Sequence, residues 1–97
     1  MLEKGLTEGE KREVTFILPN EAAGKTVHLC GEFNDWSKSS LPMFLDGAGN
    51  YRVTVLLENG RRYRYRYLVD GERWENDWQA DDYVTNEFSG EDSVVEV

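Results

Sequence analysis

Residues 51–69 read YRVTVLLENGRRYRYRYLV, and their pattern indicates the class of fold. Apolar and polar side chains largely alternate on both sides of Glu58-Asn59-Gly60, and this period of two is typical of half-buried β-strands. If these three residues form the loop, with Gly60 in the left-handed conformation, Val55 pairs with Tyr63 and one face becomes wholly apolar. The stretch therefore predicts a β-hairpin with one face in a hydrophobic core.

The opposite face of the predicted hairpin is basic. It carries Arg52, Thr54, Arg62, Arg64 and Arg66. A two-residue loop at Asn59-Gly60 would instead mix core and solvent residues on both faces. In the three-residue register Arg52 lies directly opposite Arg66, and like charges across a strand pair are unfavourable by roughly a few tenths of a kcal/mol. We therefore expect carboxylates or a hydrogen-bond-accepting ligand beside this face.

The rest of the chain contains further short apolar runs. They are rich in Val, Tyr, Phe, Ile and Leu and are separated by clusters of Gly, Pro, Asn and Asp. The predicted strands cover residues 13–18, 26–33, 43–45, 51–57, 62–69 and 94–97. Residues 71–92 have no regular period, which predicts a long connection over one face. Because no helical pattern occurs, we expect an all-β, antiparallel β-sandwich.

The length of 97 residues allows one domain. The first ten residues, MLEKGLTEGE, hold two glycines and four charges without an apolar period. We expect residues 1–10 to form a flexible N-terminal leader and residues 11–97 to form the single β-sandwich domain.

Charge and cysteine content restrict the partners and the compartment. Eleven Lys and Arg against nineteen Asp and Glu give a net charge of −8, which opposes binding to nucleic acid and to anionic membranes. The single cysteine, Cys30, excludes an internal disulfide, and no run approaches the roughly 18 apolar residues of a membrane span. The first ten residues also lack the apolar run of a signal peptide. We expect a cytoplasmic protein with no nucleic-acid and no membrane partner.

Two motifs narrow the fold further. Residues 27–37 read VHLCGEFNDWS, and residues 63–71 read YRYRYLVDG and are followed by Trp74. Together they resemble the family 48 carbohydrate-binding modules, early-set domains that bind glycogen and starch. Such domains occur in the β subunit of AMP-activated protein kinase and at the N-terminus of isoamylases, pullulanases and branching enzymes. The resemblance covers residues 13–97 and implies an immunoglobulin-like β-sandwich.

The same resemblance implies a carbohydrate site. It places the two stacking tryptophans of the family at Trp36 and Trp74, the basic strand residue at Arg66, the apolar contact at Phe88 and a sugar-binding polar residue at Asp92. The last three replace Lys, Leu and Asn of the family pattern. Arg keeps the charge and the donors, Phe enlarges the apolar contact, and Asp can only accept hydrogen bonds.

The chemistry of sugars supports this set of residues. Glucose presents an apolar face of C–H groups and a rim of hydroxyls, so a binding surface needs exposed flat rings beside donors and acceptors. Asn34 adds an amide to the set. The guanidinium groups either donate to hydroxyl pairs or hold Asp92 and nearby acids. We therefore predict a non-catalytic module whose partner is an α-1,4-glucan of the glycogen or starch type.

Other interpretations stay open. Trp36 and Trp74 can each be a half-buried plug at the edge of the sandwich, and the arginine face can be a solvated surface that discourages edge pairing. Trp78 either extends the stacking platform or packs under the long connection. The module can also dock a glucan-active enzyme, such as a family 13-type glycoside hydrolase, or a regulatory partner without binding sugar. A structural relic that binds nothing is the third hypothesis.

Catalytic and metal chemistry have no support in the sequence. Glycoside hydrolysis needs two carboxyl groups about 5–9.5 Å apart across a cleft, and a small sandwich lacks such a cleft. In the enzymes of the resembling family, the catalytic carboxylates lie on a separate barrel. His28 and Cys30 share one strand face, but without a second pair they predict packing residues rather than a metal site. We expect no catalytic residue, no cofactor and no metal.

Overall fold

The computed structural model describes residues 1–97, apart from the side chain of Asn20. Two short 3₁₀ helices lie at Asn20–Ala22 and Glu32–Asn34. The strands are β1 Leu2–Glu8, β2 Lys11–Leu18, β3 Val27–Gly31, β4 Phe44–Leu45, β5 Tyr51–Glu58, β6 Arg62–Val69, β7 Arg73–Glu75, β8 Asp82–Thr85 and β9 Glu91–Glu96. Within the described part of the chain, no helix has the length and apolar character needed to cross a membrane.

The strands form two antiparallel sheets. The first sheet has the order β1-β2-β5-β4, and the second has the order β3-β6-β9-β8 with β7 also paired to β6. Buried residues from both sheets meet in one core between them. The predicted all-β, antiparallel sandwich is confirmed.

The predicted hairpin is wrong, because its two strands belong to different sheets. β5 pairs with β2 and β4, whereas β6 pairs with β3, β7 and β9. Residues 59–61 cross between the sheets, with Gly60 in the expected left-handed conformation at φ 76°. Two strands with matching apolar faces can bury those faces either as neighbours in one sheet or as members of two sheets that pack against each other. The hydrophobic pattern is the same in both arrangements.

The change of strand partner also separates the arginines. Arg52 lies in the first sheet, where its guanidinium contacts Glu3 at 2.6 Å and Asp46 at 3.7 Å. Arg62 lies on β6 and pairs with Asp82. The expected position of Arg52 directly opposite Arg66 is therefore wrong. The carboxylates expected beside the basic side chains are present.

The first ten residues, expected to form a flexible leader, instead include β1. This strand pairs with β2 from Leu2 opposite Phe16 to Glu8 opposite Lys11. Nearly all of its side chains are exposed, so it has no amphipathic pattern for sequence analysis to detect. Backbone hydrogen bonds to an otherwise unpaired edge hold it in place.

The segment 71–92, expected to be one long connection, contains two further strands. β7 returns along β6, and β8 pairs with β9 at the edge of the second sheet. β9 begins at Glu91, earlier than the expected residue 94. Both added strands are short and largely exposed, which removes the apolar alternation that marks a strand in sequence.

The inward side chains of β6 form the centre of the core. Tyr65 is fully buried, and its ring meets Phe16 of the first sheet edge to face, with 4.9 Å between the ring centroids. Phe33 packs against Phe16 at 5.5 Å and against Tyr63 at 5.9 Å. The predicted core position of Tyr63, Tyr65 and Tyr67 is confirmed. These ring contacts join the two sheets.

A buried carboxylate lies at one end of the aromatic core. Asp77 is 1% exposed and accepts hydrogen bonds from the hydroxyls of Tyr65 at 2.7 Å and Tyr67 at 3.1 Å. It also accepts the backbone N–H of Gln79 at 2.9 Å, and the N-terminal ammonium of Met1 contacts its Oδ1. A core tolerates a buried carboxylate when hydrogen-bond donors pair with it. The loss of one donor destabilises the fold, because the desolvation of the carboxylate is then only partly compensated.

We predict that Tyr65→Phe destabilises the protein through Asp77. The substitution removes one of the donors to a buried carboxylate, so the free energy of unfolding measured in urea should fall by about 1–3 kcal/mol. Tyr51→Phe is the matched control, because the Tyr51 hydroxyl is exposed and bonds to backbone carbonyls; its effect should stay near 0.5 kcal/mol. Equal losses in the two variants would contradict the role given to Asp77.

The same phenols predict a loss of stability in alkali. Burial, followed by the neighbouring Tyr67 and Asp77, raises the pKa of Tyr65, and burial followed by Asp77 raises the pKa of Tyr67. The folded state therefore keeps both phenols neutral, and this stability is complete below about pH 10, where unfolded tyrosines ionise. Above that pH it is lost. Urea titrations at several pH values should show a shallower alkaline loss for Tyr65→Phe than for the unaltered chain.

Candidate functional site

An open groove of about 580 Å³ lies on the outer face of the second sheet. It is lined by Glu32, Trp36, Arg64, Arg66, Trp74, Asn86, Glu87, Phe88 and Asp92. The fold thus brings five of the six predicted site residues together from distant parts of the chain. The exception is Asn34.

The floor of the groove is basic. Alternation along β6 points its tyrosines into the core, and it points Arg64 and Arg66 outward. Asp92 of β9 is buried and accepts a hydrogen bond from Nε of Arg66 at 2.8 Å. Nη1 of Arg64 lies 3.8 Å from the other carboxylate oxygen. One buried carboxylate therefore holds two guanidinium groups at the groove.

One wall of the groove is a turn that carries Trp36. Asp35 and Trp36 both have positive φ, at 53° and 57°, a conformation that costs a side-chain-bearing residue about 1–2 kcal/mol. The N–H of Trp36 donates to the carbonyl of Gly31 at 2.8 Å. The backbone N–H of Arg64 donates to the Glu32 carboxylate at 2.7 Å and ties the turn to β6. These bonds hold the indole half-buried at the groove wall.

The second indole is placed by the turn between β6 and β7. Asp70 and Gly71 have positive φ, at 54° and 69°, and return the chain so that Trp74 lies on β7. The Asp70 carboxylate accepts backbone hydrogen bonds from Thr26 at 3.0 Å and Lys25 at 2.7 Å. These two bonds lower the pKa of Asp70. Trp74 is 39% exposed, so its ring is accessible.

The third aromatic ring belongs to the turn between β8 and β9. The side-chain oxygen of Asn86 accepts the N–H groups of Phe88 at 2.9 Å and Gly90 at 3.1 Å. Its amide nitrogen donates to Asp92 at 3.2 Å and links the turn to the groove floor. Phe88 is 83% exposed. An apolar ring is therefore held in solvent by an ordered turn.

Asn34 uses its side chain within the turn that precedes Trp36. Its Oδ1 accepts the N–H of Gly31 at 2.9 Å, and its Nδ2 donates to the carbonyl of Leu29 at 3.2 Å and to Ser40 at 3.0 Å. The structure thus places this predicted site residue outside the groove lining. Its place in the motif is explained by the shape of the turn.

Some groove residues were not singled out from the sequence. Glu32, Asn86 and Glu87 line the groove, whereas Trp78 is 55% exposed and lies outside the lining. Glu32 lies within the motif of residues 27–37 and Glu87 precedes Phe88, but acidic residues are common throughout this chain. Only the folded structure shows which carboxylates reach the groove.

The groove combines flat apolar rings with hydrogen-bonding groups. Two indoles and a phenyl ring offer surfaces for stacking, the guanidinium groups donate hydrogen bonds, and the carboxylates of Glu32 and Glu87 can accept them. Among the described residues, no cluster of three His, Cys, Asp or Glu side chains is placed to hold a metal ion. The arrangement suits a hydroxylated ligand with an apolar face.

Comparisons with known proteins agree with this chemistry. The family model for the glycogen recognition site of AMP-activated protein kinase matches residues 14–96. The chain is 35% identical over 74 residues to 5'-AMP-activated protein kinase subunit beta-1 of Sus scrofa, covering 76% of this chain and 56% of that protein. It is 34% identical to the Homo sapiens subunit over 74 residues, covering 76% of this chain and 25% of that protein. The chain therefore spans about half, or less, of the length of these relatives.

We predict that, at the strained turn, a glycine variant is more stable than an alanine variant, which reverses the usual order of stability. At the φ of Trp36, Trp36→Gly should be more stable than Trp36→Ala by about 1 kcal/mol, because glycine adopts left-handed conformations without a Cβ clash. Urea denaturation measures both variants. The same two substitutions at Trp78, which is not among the positive-φ residues, are the control. A glycine variant less stable than the alanine variant at Trp36 would contradict the strain.

Proposed function

Since this chain belongs to the family of the glycogen recognition site of AMP-activated protein kinase, we propose that it binds α-1,4-glucans of the glycogen and starch type. A carbohydrate-binding module of this kind is a non-catalytic domain. The observation that carries the proposal is the joint placement of Trp36, Trp74, Phe88 and two arginines in one open groove.

Stacking on the aromatic rings is the first part of the proposed binding. The apolar face of a glucose ring packs against the indole of Trp36 or Trp74, and the exposed ring of Phe88 adds a third apolar contact. The bonded turns behind these rings reduce the conformational entropy lost on binding.

Hydrogen bonds to hydroxyl groups are the second part. Arg66 donates from the groove floor, and the rim carboxylates of Glu32 and Glu87 accept hydroxyl protons. The net charge of −8 favours a neutral ligand over a polyanion. Because the groove is open and the polymer is flexible, we expect dissociation constants of about 10 μM to 1 mM.

A second candidate function is docking to a protein partner. Phe44 and Leu56 are 66% and 47% exposed in the first sheet, away from the groove. A glucan-active enzyme, such as a family 13-type glycoside hydrolase, or a regulatory partner is the occupant we propose for this role. If docking is the sole function, glycogen does not retain the unaltered chain, and Leu56→Glu abolishes partner capture.

We propose the cytoplasm as the compartment. Cys30 is buried as a free thiol, and burial raises its pKa while the nearby Lys38 opposes the shift. Because the thiolate is the reactive form, Cys30 is a packing residue rather than a reactive one. A thiol that stays free supports the proposed compartment, because the cytoplasm keeps thiols reduced.

We predict that Trp36→Ala and Trp74→Ala each weaken glucan binding about five- to thirtyfold. Loss of a stacked ring removes roughly 1–2 kcal/mol of contact. Chemical-shift titration with maltoheptaose gives the dissociation constants, and retarded migration in a glycogen gel tests the polymer.

The matched control is Trp78→Ala. Trp78 is an exposed tryptophan outside the groove, so its removal should leave the dissociation constant within about twofold. An unaltered chain that shows no shifts around Trp36 at millimolar maltoheptaose would overturn the proposed function.

A further inference from the structure

The two arginines of the groove floor share one buried carboxylate. Arg64 and Arg66 are two residues apart on the same face of β6, so their Cα atoms lie about 6.5 Å apart along the strand. Both guanidinium groups reach Asp92, whose side chain is 7% exposed. We call this group of three residues the arginine clamp.

Contacts within the protein engage the carboxylate of Asp92, most closely at Oδ1. Its Oδ1 accepts hydrogen bonds from Nε of Arg66 at 2.8 Å and from Nδ2 of Asn86 at 3.2 Å. Nη2 of Arg66 also lies 2.7 Å from Oδ1. Its Oδ2 faces Nη1 of Arg64. Since the side chain is 7% exposed and Oδ1 is engaged, a ligand hydroxyl has access only to Oδ2, which faces Arg64.

The guanidinium groups keep most of their donors. A guanidinium carries five N–H groups, and Asp92 engages only one edge of Arg66. Arg64 is 45% exposed, and its 3.8 Å contact with Asp92 is an ion pair rather than a hydrogen bond. The N–H groups that face the groove therefore belong to two arginines.

We propose that Asp92 is a positioning residue and that Arg64 is a second residue that donates hydrogen bonds to the sugar. This inference rests on the proposed function and changes the role that the sequence suggested for Asp92. Each planar fork suits a pair of adjacent hydroxyl oxygens. The buried carboxylate fixes the two forks side by side before the ligand arrives, which lowers the entropy lost on binding.

Single variants test the two donors. Arg64→Gln and Arg66→Gln should each weaken maltoheptaose binding by about three- to tenfold in isothermal titration calorimetry, the effect of a lost hydrogen bond. Arg62→Gln is the matched control, because Arg62 lies on the same face of β6 but pairs with Asp82 and is absent from the groove lining. Its dissociation constant should stay within about twofold. An Arg64→Gln variant that binds like the control overturns the role of Arg64.

The positioning role of Asp92 is tested by comparing Asp92→Asn in two backgrounds. Asp92→Asn in the otherwise unaltered chain should weaken binding about three- to tenfold, because the forks lose their fixed orientation. In a chain that already carries Arg64→Gln and Arg66→Gln, it should change binding less than about twofold. If Asp92 contacts the sugar directly, the full penalty remains in that background and the positioning role is overturned.

Two further outcomes are distinguishable. If Asp92→Asn lowers the melting temperature while the dissociation constant of the folded protein is unchanged, the residue is merely structural and the inference fails. If the unaltered chain does not bind maltoheptaose, the proposed function fails and the inference fails with it. Binding by the unaltered chain together with unaffected clamp variants overturns the inference alone.

Discussion

Alternation of side chains along β6 both builds the core and orients the arginines of the groove. In an extended strand, neighbouring residues point to opposite faces, so Arg62–Val69 presents tyrosines to the core and arginines to solvent. The inward rings meet Phe16 of the opposite sheet and the buried carboxylate of Asp77. The outward guanidinium groups form the groove floor. Core packing and the proposed binding are thus linked through one strand with neighbours on both sides.

The groove walls show a different use of backbone conformation. Asp35, Trp36, Asp70 and Ser89 have positive φ, and each belongs to a turn that carries an aromatic ring or precedes one. Left-handed residues with side chains destabilise a protein unless surrounding contacts hold them. Here the supporting contacts are hydrogen bonds within the turns or to neighbouring segments, including those of Asp70. Trp74 and Phe88 are exposed and Trp36 is half-buried, and the hydrogen-bonded turns fix the backbone at each ring.

Sequence reasoning succeeded where a local pattern carries the information. The period of two in residues 62–69 correctly placed the tyrosines in the core. Trp36, Arg66 and Trp74 of the two motifs lie in the groove lining, and their role in binding stays a prediction. Sequence reasoning failed for β1, whose side chains are exposed and whose order comes from backbone pairing with β2. It also failed for the pairing of β5, because an apolar face does not specify whether its partner lies beside it or across the core.

Local sequence patterns were enough to predict the class of fold, the strands that bury their side chains, and the aromatic and basic residues available for binding. They were enough because alternation, turn residues and motif spacing are local properties of the chain. Tertiary structure alone decided that β5 and β6 lie in opposite sheets, that Asn34 serves its own turn, and that Asp92 holds two arginines. These facts depend on contacts between residues far apart in sequence, and strand pairing and side-chain burial arise only when the two sheets meet.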